Sequence, residues 1–94
     1  MAIQITAVRL TAGGTKHEHI TQLWWTDQTS GDTGNSTRAQ IVDWIENKSG
    51  KAYTSDAAGN RTEVGVVTPS MGEKYLRTHA DGVWTNNLLA LPRR

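Results

Sequence analysis

The densest chemistry in this chain lies at positions 17 to 19, where the residues read His17, Glu18 and His19. On a strand, two imidazoles at i and i+2 project to the same side and can share a divalent ion. Such a site needs a third and a fourth ligand, for which His79 and Asp81 are the candidates, with Glu18 as a base. That set would make a metal-dependent hydrolase. No longer zinc signature accompanies it, and the simpler reading gives these histidines to neighbours at the end of a hairpin. No metal or other cofactor is expected.

Arg77 stands between Tyr75 and His79, so on a strand all three share a face. A guanidinium so placed binds phosphate bidentately while the ring stacks on a base. The competing arrangement pairs Arg77 with Asp81 or Glu73 at a sheet edge and half-buries Tyr75. The run from Arg9 through Gly13 and Gly14 to Lys16 and His17 offers backbone amides and cations to an anion. It lacks the glycine spacings of nucleotide-hydrolysing loops, and no helix follows at once, which argues against that chemistry and for a plain hairpin turn. Trp24 and Trp25 are adjacent, so on a strand they face opposite ways, and one of them is exposed or at an interface. Trp24 as a stacking platform or a subunit contact follows, and in a chain this small a homo-oligomer is expected.

Other chemistries have less behind them. No strand-to-helix nucleophile elbow occurs, and the serines and threonines fall in turns. The carboxylate pairs Asp27 with Asp32 and Asp43 with Glu46 sit in a loop and on a helix surface, where solvation is the default. With no cysteine there is neither a disulfide framework nor a thiolate site, and no apolar run is long enough to cross a membrane. A formal charge of +1 gives little whole-molecule attraction for nucleic acid or membranes, although a local patch stays open. A soluble cytoplasmic protein is expected, with a single domain over 1–94.

The elements that must position these groups are mostly strands, since 13 threonines and four tryptophans suit a pleated surface. Ile3 to Leu10 reads as a first strand whose apolar phase slips once, which predicts a β-bulge near Thr6 or Ala7. A second runs from His17 to Thr26, and Thr26 to Ser36 reads as a loop. Thr37 and Gln40 make a capping box that opens a helix with an apolar stripe of Ile41, Trp44 and Ile45, closed by Gly50 in a left-handed cap. Lys51 onward returns to strands: a hairpin of KAYTSD and TEVGVVT, then EKYLRTHA, then a short strand at Val83 and Trp84 after the tight turn Asp81-Gly82. The leucines at 88, 89 and 91 dock the tail on the core before Pro92. The fold class is α+β, a mostly antiparallel twisted sheet in the order ββαβββ with one helix packed on it.

Read in order, the blocks ITAVRL, GGTKHEHI, STRAQIVDWIE, KAY, YLRT and ADGVWTNNLLALP resemble the small bacterial and phage domain-of-unknown-function family 3892, over roughly Ile3 to Pro92. The resemblance implies a compact α+β domain and brings no reaction with it. Trp24 departs from its pattern, where a polar or basic residue is expected. The residues point to a small non-enzymatic binding domain for an anionic ligand, a nucleotide signal or a single-stranded nucleic acid. Arg9 and Arg77 would take phosphate, Trp24 and Tyr75 would stack, and His17, His19 and His79 would give hydrogen bonds. Gly13 and Gly14 would allow close backbone approach. The alternatives are the hydrolase above and a structural module that assembles through Trp24.

Overall fold

The computed structural model describes residues 2–55, 58–80 and 83–94. Among them, seven strands form one sheet: β1 (Ala2–Leu10), β2 (Ile20–Asp27), β3 (Thr33–Thr37), β4 (Lys51–Ser55), β5 (Arg61–Val67), β6 (Tyr75–Ala80) and β7 (Val83–Thr85). One helix, α1 (Arg38–Asn47), follows β3. The α+β class stands, but three strands precede the helix and four follow it, which corrects the ββαβββ order. The spatial order is β3-β2-β1-β4-β5-β6-β7, antiparallel throughout except for β1 with β4. The exception follows from chain routing: β3 and β4 run the same way, so the chain must cross over between them, and α1 makes the crossing. No helix among the described residues is long and apolar enough to cross a membrane.

The additional strand, β3, falls where turn-forming residues predict a loop. Asp27 explains the difference. Its carboxylate accepts the Thr29 amide at 2.9 Å, its amide donates to the Asp32 carbonyl at 2.7 Å, and its carbonyl accepts the Gly31 amide at 2.7 Å. The turn is complete by Asp32, so Thr33–Thr37 is free to pair along β2. Here the strand state comes from partner hydrogen bonds and not from side-chain propensity. The β1 bulge appears as expected, with the register slipping between Ile5 and Ala7; Ile3 and Ile5 before it and Val8 after it are all buried.

The capping box also forms: the Gln40 amide donates to Thr37 Oγ1 at 3.2 Å and the Thr37 amide to Gln40 Oε1 at 2.8 Å. At the other end the left-handed position is held by Ser49 (φ 55°), not by Gly50. Gly50 instead lies against the Trp44 ring, where a Cβ would overlap it. The helix presses Ile41 and Val42 onto Ile3, Ile5, Leu23 and Val64, and Leu88 of the tail fills the core from the other end. Beyond Leu88 the chain turns back to β1. The Val8 amide donates to the Pro92 carbonyl and the Arg94 amide to the Val8 carbonyl, each at 3.0 Å. The tail thus takes the edge of β1 that β4, paired only along Ala2 to Gln4, leaves open.

Candidate ligand-binding face

Cross-strand register assigns each side chain to a face. Ile3 pairs with Asp27 and Ala52, Ala52 with Val64 and Val64 with Thr78, so this row lies on the inner face with the core. The neighbouring row belongs to the opposite, open face: Thr33, Thr26, Gln4, Tyr53, Glu63, His79 and Trp84, one from each strand. Alternation then places Arg9, Trp24, Arg61 and Arg77 on the open face as well. The Arg94 guanidinium joins them over Trp24.

The strongest grouping on this face surrounds Trp24. The Arg9 guanidinium lies 5.1 Å from the ring centroid and that of Arg94 lies 5.0 Å from it. Arg9 Nε donates to the main-chain oxygen of Arg94 at 2.8 Å, which ties the Arg9 side chain to the backbone of the tail. Beside them runs a trough of about 470 Å³, lined by Thr6, Thr26, Thr33, Asn35, Trp24 and Arg94. Its size falls within the roughly 300–1,000 Å³ typical of small-molecule sites. Farther along the sheet, the Arg61 guanidinium sits 4.5 Å over the Tyr53 ring, and His79 meets Trp84 edge-on at 5.1 Å. The ion pairs among the described residues, Arg38 with Glu73 and Lys74 with Glu46, both engage α1. On the open face the described strand residues carry four arginines, counting Arg94, against one carboxylate, Glu63. The small net charge of the chain hides this asymmetry.

The structure brings Arg9 and Trp24 together; Tyr75, Arg77 and His79 share one face of β6, as alternation predicts, but stand apart from that pair. Arg77 is committed internally: Nε donates to the Thr85 carbonyl at 3.1 Å and a terminal nitrogen to Asn86 Oδ1 at 3.2 Å, while Glu73 is taken by Arg38. Tyr75 lines a separate cleft with Glu18, Arg38 and Glu73. Gly13 (φ 76°) makes the turn after β1. Gly14 gives close approach not to a ligand but to His19, whose Cβ would lie 2.6 Å from an added Cβ.

His17 to His19 form a 3-10 turn, not the start of a strand. With three residues per turn, side chains two apart diverge by about 240°, so the shared side that strand alternation predicts for His17 and His19 does not exist. His19 Nδ1 accepts the Thr15 and Lys16 amides at 3.1 and 3.2 Å, which occupies that lone pair. His17 is buried, and its Nε2 has no hydrogen-bond partner. Burial first, and then the positive charge of Arg77, hold the His17 imidazole below its ordinary pKa, with Glu18 pulling the other way. His79 faces the Trp84 ring, and Asp81 lies outside the described residues. No group of three or more metal-ligating side chains gathers among the described residues.

Sequence reasoning missed Arg94, Arg61, Tyr53 and Trp84. The doublet Arg93-Arg94 after Pro92 was a visible signal, but its placement depends on the tail pairing with β1. Trp84, at 41% exposure, is the bare tryptophan, whereas the Trp24 ring is covered in part by guanidinium groups.

No curated protein and no solved structure matches this chain. A family model described as "Protein of unknown function (DUF3892)" matches residues 4–92. With nearly its whole length matched, the chain belongs to the DUF3892 family of proteins of unknown function.

Proposed function

We propose that this chain is a non-enzymatic binding domain whose open face recognises an anionic ligand bearing both a phosphate and a planar ring, as nucleotides do. One observation carries the reading: two guanidinium groups, Arg9 and Arg94, flank the Trp24 ring at 5.1 and 5.0 Å beside a trough lined by hydroxyl and amide groups. Guanidinium groups bind phosphate through charge-assisted hydrogen bonds, and an indole stacks on any base. Thr6, Thr26, Thr33 and Asn35 supply donors and acceptors for a sugar or a base edge. Titration with adenosine monophosphate, followed by tryptophan fluorescence at two salt concentrations, tests the reading. Quenching that saturates and weakens with salt supports it, and an unchanged spectrum up to millimolar nucleotide removes it.

A further inference from the structure

We infer that the ligand of the open face is a single-stranded nucleic acid laid across the strands, not one free nucleotide; this rests on the anionic-ligand reading above. The cationic and aromatic groups are spread across the sheet in three clusters. Trp24 with Arg9 and Arg94 stands on β2, Tyr53 with Arg61 on β4 and β5, and Trp84 with His79 on β7 and β6. From β2 to β7 there are five strand spacings, about 24 Å at ~4.8 Å each. One nucleotide reaches a single cluster, whereas a polymer with a charge at every link reaches all three.

The intervening surface suits such a strand. Its row of side chains includes one carboxylate, Glu63, and the long basic residues bordering it, Arg9 and Arg61, are exposed. Arg61 packs over the buried Tyr53 ring, which holds its charge at a fixed place midway across the sheet. At the far edge the Trp84 ring lies on Gly65, where an added Cβ would sit 3.3 Å away. The absence of a side chain there lets the indole lie along the sheet with its outer surface toward solvent. Basic groups tracking a backbone, with rings that take bases without regard to sequence, are what single-strand binding requires.

The test is fluorescence anisotropy with labelled oligothymidylates of two to 12 residues and the matching oligouridylates, competed by thymidine monophosphate. Affinity should rise with length and level off within the series, once the extended strand is long enough to cover the about 24 Å between the outer clusters. The 12-mer should bind at least a hundredfold more tightly than the mononucleotide. With three or four phosphates neutralised, log K should fall with log salt at a slope of about −2 to −3, and Arg61→Gln should reduce that slope by about 0.7. The deoxy and ribo series decide which strand is preferred. A 12-mer that binds no better than the mononucleotide, or a slope that Arg61→Gln leaves unchanged, overturns the polymer and leaves the nucleotide reading standing. Binding of neither the mononucleotide nor the 12-mer overturns both.

Discussion

The Arg94 guanidinium rests 5.0 Å from the centre of the Trp24 ring, although the two residues belong to segments at opposite ends of the chain. Their meeting requires the tail to cross the core through Leu88 and to pair beside Val8. The cationic, aromatic patch is therefore a product of the complete fold. It combines an indole held by β2 with a charge delivered by the tail that pairs beside β1.

Trp24→Ala should weaken nucleotide binding by about 5- to 150-fold, the loss of about 1–3 kcal/mol for one stacked base, and Trp24→Phe should fall between the two. Half-exposed on the open face, Trp24 is not part of the buried core. A thermal melt within a few degrees of the parent alongside the lost affinity would separate recognition from folding.

His17 makes stability depend on pH. Its folded-state pKa lies below the unfolded value near 6.5, so near pH 7.5 the imidazole is neutral in both states and its burial carries no proton penalty. As pH falls below 6.5, the unfolded chain takes up a proton that the folded one resists, and stability is lost until the folded pKa is passed. Urea melts at pH 7.5 and 5.5 should show a lower midpoint at 5.5, and His17→Leu should shrink that difference. Equal differences in the parent and the variant would contradict the assignment.

Thr37→Ala removes the hydroxyl that accepts the Gln40 amide and should cost about 1 kcal/mol. In a domain of this size that lowers Tm by roughly 4–8 °C, readable by circular dichroism. Thr37→Ser keeps the acceptor and should recover most of the loss.

Gly50→Ala places a methyl group inside the Trp44 ring, so the helix end or the indole must shift. A cost of about 1–3 kcal/mol is expected, as for other overpacked sites. Because Trp44 moves, its fluorescence should change along with the urea midpoint.

What the sequence made legible was local. Thr37 and Gln40 announce their cap because both partners lie within one turn, and the β1 bulge shows as a phase slip within one strand. β3 was hidden because its residues, Thr33 to Thr37, favour turns on their own and become a strand through pairing with β2. The histidines at 17 and 19 mislead for a related reason: two-residue alternation presumes a strand, and the amides capped by His19 wind that segment into a 3-10 turn. Arg9 and Trp24 were recognisable by type and face. Arg94 and Trp84 were not, because their places depend on which strand each distant segment joins.

The most direct measurement of the central claim uses the four indole N–H signals in a nitrogen–proton correlation spectrum, recorded while a seven-residue oligothymidylate is added. Trp24 and Trp84 face the open side; Trp25, whose Nε1 donates to Ser36 Oγ at 3.2 Å, and Trp44 face the helix side. Saturable shifts are expected in the first two and a stationary signal from Trp44, with Trp25, which also lines the trough, shifting less than Trp24. Shifts in Trp25 and Trp44 with Trp24 and Trp84 unmoved, or no shift in any of them, would contradict that claim.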